Sequence, residues 1–250
     1  MSIDVLRAFI TFSAILYYIS LFFFIKNKKL YKILWGCAIT LNITLVVNNW
    51  ITNGYMPFVG TFQVLIFVSF CFFPVYLYMK YIHDCKWMAG YFILVSAICL
   101  TGVMFMNTNP IKLLPPALQS VWFIPHILMY MFAYAIFAVS FIITILNIFA
   151  PKPHLNRGIY NLVCTAFPFA TCGMLFGAIW ANEAWGGFWS FDAKENWSLI
   201  TWCLYALYLH FYRNNILKRY ANILSVLGFV ALIITMFFVR FFSPESLHIY

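Results

Sequence analysis

Trp185, Phe188, Trp189, Phe191 and Trp197 fall within one short run, Trp185-Gly186-Gly187-Phe188-Trp189-Ser190-Phe191-Asp192-Ala193-Lys194-Glu195-Asn196-Trp197. Ring faces at this density, beside two glycines that let the backbone approach closely, suit a flat and largely apolar ligand. Asp192, Lys194 and Glu195 supply charges for the polar edge of such a ligand. The spacing from Trp185 to Trp189 and on to Asp192 places all three on one face if the segment is helical. The same run also reads as an interfacial aromatic belt with charges at the headgroups, and residue types alone leave both readings open.

Composition says what kind of element positions these residues. The chain is 65% hydrophobic and 8% charged, with a mean hydropathy of +0.91. That is more apolar surface than a soluble domain of this length buries. The expected fold is an all-α polytopic membrane protein, one integral membrane domain over residues 1–250. Crossing the hydrocarbon takes roughly 20 mostly apolar residues. Eight runs qualify: 5–25, 33–52, 62–80, 88–106, 123–149, 160–180, 197–213 and 221–240. The fifth is long enough to tilt or to project past the membrane. The first follows Met1-Ser2-Ile3-Asp4 without a basic leader or a cleavage site, so it reads as a retained span.

The net charge of +9 speaks to orientation, not to nucleic acid. Lys26, Lys28, Lys29, Lys32, Lys80, Lys86, Lys152, Arg157, Arg213, Lys218 and Arg219 collect in alternate connections, eleven of the fifteen basic residues. By the positive-inside rule that side is cytoplasmic. Both termini, the loops 53–61 and 107–122 and the Trp-rich run then lie outside. The seven cysteines, Cys37, Cys71, Cys85, Cys99, Cys164, Cys172 and Cys203, include no C-x-x-C pair. Neither a zinc site nor a redox dithiol is expected, and they read as small packing residues.

The Trp-rich run resembles the WWD motif of the haem-handling protein family. Its Asp192-x-Lys194-Glu195-x-Trp197 continuation, followed by Leu199-Ile200-Thr201-Trp202, resembles the CcsA/ResC branch of system II cytochrome c biogenesis. Phe191 stands where that branch usually has Trp, which keeps a ring face. Ala193 stands where it usually has Pro, which removes a rigid turn former. Three further segments carry the likeness. Gly54-Tyr55-Met56-Pro57 before the third span resembles the family's first external segment, with Gln63 in place of a usual Glu. Leu114-Pro115-Pro116 through Pro125-His126 resembles the approach to its first external histidine, with the two prolines keeping the loop extended. Ser246-Leu247-His248-Ile249-Tyr250 resembles the ending that carries its second, with Ile249 in place of Ser.

Neutral imidazole is a good iron ligand, and two axial imidazoles hold haem in a low-spin, six-coordinate state. The resemblance makes His126 and His248 the axial ligands of a haem b on the outer face. The topology places both with the Trp-rich run without assuming it. His210, about one helical turn from the cytoplasmic end of the seventh span, resembles the family's transmembrane histidine. His83 and His154 sit in basic loops and match no family position. On the resemblance, Trp185, Phe188, Trp189, Phe191 and Trp197 face the porphyrin and Lys194 pairs with a propionate. Asp192 and Glu195 orient it or receive a partner protein.

The implied activity is a share in attaching haem vinyl groups to the Cys-x-x-Cys-His thiols of apocytochrome c. The implied partners are a CcsB/ResB-type membrane protein, the apocytochrome itself and, indirectly, a thiol-reducing thioredoxin-like protein. A haem exporter or delivery chaperone of the CcmC kind would share these residues without attaching haem. A scaffold that binds no haem would need none of the histidines. A bacterial cytoplasmic membrane is the simplest location, and a plastid thylakoid is also compatible with the family.

Overall fold

The computed structural model describes residues 3–27, 29–108 and 114–239. They form eight α-helices, with no strand among the described residues: α1 (Ile3–Lys26), α2 (Leu30–Asn53), α3 (Thr61–Ile82), α4 (Ala89–Met104), α5 (Phe123–Phe149), α6 (Pro153–Trp185), α7 (Ala193–Arg213) and α8 (Ala221–Ile233). Among the described residues, seven helical segments are long and apolar enough to cross a membrane. The eighth, α7, has the length, but Asn196, Ser198, Thr201 and His210 lower its apolarity. The all-helical membrane architecture expected from composition is therefore the one observed.

The chain divides into two compact units, Met1–Leu114 and Pro115–Tyr250. In the first, α1 packs on α2 and α4, and α3 packs on the same two helices, which closes a ring of four. Ser13 Oγ donates to the Ala38 carbonyl at 3.4 Å and Ser20 Oγ to the Tyr31 carbonyl at 2.9 Å, which fixes α1 and α2 as antiparallel. At the centre Asn42 Nδ2 donates to Ser69 Oγ at 2.5 Å, and Ser96 Oγ reaches the Ser69 carbonyl at 3.3 Å. Such buried bonds between apolar helices contribute roughly 0.6 kcal/mol each and set register more than stability. Gln63 Oε1 accepts the backbone amides of Val59 (3.2 Å) and Gly60 (3.1 Å) at the start of α3. A neutral amide thus does the capping a carboxylate would do there.

The second unit repeats the ring with α5, α6, α7 and α8. His126 meets Gly173 at one end of the α5–α6 pair, and Asn147 Nδ2 donates to Asn156 Oδ1 at 2.8 Å at the other. The α6–α7 pair is pinned by Trp202 Nε1 donating to Thr171 Oγ1 at 2.9 Å and by stacking of Tyr160 on Tyr212 at 4.3 Å. Both pairs are therefore antiparallel.

The sixth run was expected over 160–180, and α6 is 33 residues long. Polar residues such as Arg157, Asn182 and Glu183 do not stop a helix, whereas Pro153 at its first turn and Gly186 just past its end do bound it. At 1.5 Å per residue α6 spans roughly 50 Å, against roughly 30 Å of hydrocarbon. α5, at 27 residues, is also longer than the hydrocarbon is thick, as expected, and α6 is longer still, with its far end carrying the start of the Trp-rich run. After Ile233 the backbone widens into a π-helical turn over Ile234–Phe238, where Thr235 Oγ1 donates to the Ala231 carbonyl at 2.8 Å.

Candidate functional site

His126 sits in the first turn of α5, half-buried against α6. Its Nδ1 lies 2.8 Å from the Gly173 carbonyl oxygen. A carbonyl only accepts, so Nδ1 carries the proton and, in the neutral ring, the lone pair belongs to Nε2. The imidazole stacks on Trp180 (5.4 Å between centroids, 27°) and meets Tyr130 edge-on at 5.1 Å. Gly177 makes room for it. A Cβ there would fall 2.5 Å from His126 Nδ1 and 2.6 Å from Cε1. Gly173, Gly177 and Trp180 follow helical spacing, so one face of α6 forms the seat of this ring.

The loop before α5 is stitched to the same end of α6. Pro115 is extended (φ −55°, ψ 141°), as its residue type dictates, and Pro116–Gln119 then tighten into a short 3-10 turn. Trp180 Nε1 donates to the Ala117 carbonyl at 2.7 Å, and Ser120 Oγ donates to Glu183 Oε2 at 2.7 Å. Trp122 stacks on Phe176 at 5.9 Å. These contacts fix the direction from which α5 begins, and with it the His126 ring.

Trp180 also meets Trp185 edge-on at 4.8 Å. His126, Trp180 and Trp185 are therefore three rings in contact, leading from the imidazole to the Trp-rich run. There α6 ends. Gly186 takes the left-handed conformation (φ 80°), and its amide donates to the Asn182 carbonyl at 2.9 Å. Residues 186–192 are not helical, so Trp185, Trp189 and Asp192 do not share a helix face. The run is instead an ordered loop. Phe188 and Phe191 hold 60% and 75% of their surface exposed, while Trp185, Trp189 and Trp197 are half-buried. Phe191 is itself left-handed (φ 58°), and Asn196 Nδ2 donates to its carbonyl at 2.7 Å.

Glu195 organises this loop. It is 9% exposed, and Oε2 accepts Ser190 N (2.8 Å), Ser190 Oγ (3.1 Å) and Asp192 N (3.3 Å). Sequence reasoning gave Glu195 to the ligand or a partner protein, but its carboxylate is folded inward on the start of α7. Asp192 occupies the N-cap of α7 and Lys194 its first turn. Burial pushes the Lys194 ammonium below the usual lysine range, and the nearby Asp192 opposes that shift. Along α7, His210 lies eighteen residues past Asp192, or about 27 Å of helix. It is exposed, on the stripe of Cys203 and Leu207, and does not join the site at His126. His248 lies outside the described residues.

Trp180, Gly173, Gly177 and Glu183 were not found from the sequence. The available signal was the small–small–aromatic pattern at helical spacing on α6. It identifies a close approach without saying what approaches.

Residues 58–248 match the family model described as cytochrome c assembly protein. A cytochrome c biogenesis protein CcsA from Trieres chinensis is 28% identical over 305 aligned positions, which cover 100% of this chain and 96% of that protein. One from Chlamydomonas reinhardtii is 29% identical over 74% of this chain and 58% of its own length. One from Amborella trichopoda is 30% identical over 80% of each.

Proposed function

The chain belongs to the cytochrome c assembly protein family, with a role in cytochrome c maturation, and from that premise we propose that it holds haem b for attachment to apocytochrome c. One observation carries the reading. His126 is built as metal-ligating histidines are built, with Nδ1 tied to a backbone carbonyl, which fixes the tautomer and makes Nε2 the basic nitrogen of the ring. Ring contacts lead from it through Trp180 to Trp185, and the loop that follows exposes Phe188 and Phe191, the kind of surface a porphyrin face covers. His248, which lies outside the described residues, would be the second histidine to hold the iron. Trp185, Trp189 and Trp197 would complete the platform, and Lys194 would pair with a propionate. The site faces the side of the membrane opposite the basic connections.

Haem b, when bound, supplies two vinyl groups, and each thioether forms by addition of a substrate S–H across one of them, with no nucleophile from this chain. The chain's own work is positioning. His126 would hold the iron, and Gly173, Gly177 and Trp180 orient its ring for that task. The loop 186–192, held by Glu195, keeps the exposed rings at a set height above α7. A CcsB/ResB-type protein completes the assembly, and a thioredoxin-like protein keeps the substrate thiols reduced.

The test is co-expression of this chain with a CcsB/ResB-type partner and an apocytochrome c, scored by covalent haem on the apocytochrome after denaturing electrophoresis. Covalent product that disappears with His126→Ala and returns with added imidazole supports the proposal. Haem bound by the wild-type chain without covalent product, in an assembly shown to be intact, overturns attachment in favour of delivery.

A further inference from the structure

We propose that the end of the second unit remote from His126 seats the phosphate of an anionic phospholipid, between Arg157, Arg213 and Lys218 around the stacked rings of Tyr160 and Tyr212. Three separate elements converge there. Tyr160 of α6 and Tyr212 of α7 stack at 4.3 Å between centroids and 14° between planes. Lys218, from the turn Leu217–Tyr220, places Nζ 4.5 Å above the centre of the Tyr212 ring. Arg157 stands one turn before Tyr160 on α6, and Arg213 follows Tyr212 at the end of α7, so the stacking of the two rings brings both guanidinium-bearing turns together. All three cations are exposed.

No carboxylate of this unit answers them among the described residues. Glu183, Asp192 and Glu195 all stand at the His126 end. The first turn of α6, one turn from Arg157, carries no acid either, so the positive end of that helix adds to the same field. The first unit is built differently. Its Lys86 is paired with Asp84 at 2.8 Å, and Lys26 and Lys80 each lie over a ring one or four residues away on their own helix. A general excess of positive charge on one side of the membrane accounts for the number of these residues. It does not account for three of them converging on one aromatic pair. Guanidinium groups bind phosphate oxygens bidentately, and phenol rings sit at the headgroup level. A phosphodiester anchored in the adjacent leaflet fits this chemistry and this depth.

The experiment is native mass spectrometry of the detergent-solubilised full chain, titrated with phosphatidylglycerol or with phosphatidylcholine of the same acyl chains. Wild type is expected to retain phosphatidylglycerol in preference. Replacing Arg157, Arg213 and Lys218 by Gln should weaken that binding by about fivefold per cation and roughly a hundredfold together. Lys218→Arg should keep it. A parallel set, Lys29→Gln, Lys32→Gln and Lys80→Gln, removes equal charge from the first unit and should leave binding nearly unchanged. Equal retention of the two lipids by wild type overturns the proposal without need of any variant. Equal loss in the two variant sets also overturns it, because it reduces the effect to net charge. Displacement of the lipid by millimolar inorganic phosphate, or by free haem at equimolar level, overturns the lipid assignment in favour of a free phosphate or of porphyrin carboxylates.

Discussion

Gly177→Ala is expected to cost the protein its haem while leaving it folded. Alanine within a helix ordinarily stabilises by about 1 kcal/mol relative to glycine. At 177 the added Cβ would fall 2.5 Å from His126 Nδ1, so the ring must shift away from its contacts with Trp180 and Gly173. Overpacking of this kind costs about 1–3 kcal/mol, so folding survives with a small net loss. The larger effect is on the imidazole, which must break its bond to Gly173 to move. Losing the group that orients a metal-bound histidine lowers affinity about 10- to 100-fold. The measurement is haem retained per protein after purification, beside Gly36→Ala as a control. A Cβ on Gly36 meets nothing within 4 Å, so that variant should match wild type. Equal haem in the Gly177 and Gly36 variants would sever the link between this helix face and the ligand.

Glu195→Ala is expected to release the 186–192 loop. Three hydrogen bonds converge on one carboxylate oxygen of a 9% exposed side chain, two of them from the backbone amides of Ser190 and Asp192 in the loop before α7. Bonds to a charged acceptor contribute about 1.5–3 kcal/mol, and here they also hold Phe191 in a left-handed conformation that costs roughly 1–2 kcal/mol. Without them the backbone relaxes and the exposed rings lose their fixed height. Limited proteolysis in detergent should cut between 186 and 192 in Glu195→Ala and not in wild type. Glu195→Gln, which keeps one acceptor oxygen, should be intermediate. An Ala variant as resistant as wild type would remove Glu195 from this role.

Eight apolar runs at membrane length were plain in the sequence because hydrocarbon solvates nothing else, and the helices occupy them. Their ends were less plain. Hydropathy stops where polar residues begin, but helical hydrogen bonding does not, which is why α6 continues through Asn182 and Glu183 to Gly186. The candidate site was legible where it depends on residue type. His126 and the rings of 185–197 are groups that a flat ligand with a metal centre would use. What depends on contact was not legible. Gly173 and Gly177 lie about fifty residues from the histidine they accommodate, and nothing local to them names it. The hydrogen bonds of Glu195 were hidden for the same reason: a carboxylate three residues into a helix is both a familiar capping partner and a group that could meet a ligand or a partner protein, and its burial and three inward hydrogen bonds appear only in the folded chain.

The central claim is that His126 and the aromatic loop beside it hold haem b. Its most direct test is the absorption spectrum of the purified protein, wild type beside His126→Ala and His248→Ala. Wild type is expected to carry haem b with a six-coordinate, low-spin spectrum. Each variant is expected to lose haem or to turn high-spin, with the low-spin form recovered on adding imidazole. Wild-type protein that purifies without haem, and takes none up when reconstituted with a CcsB/ResB-type partner, would contradict the account and return the Trp-rich loop to an interfacial aromatic belt.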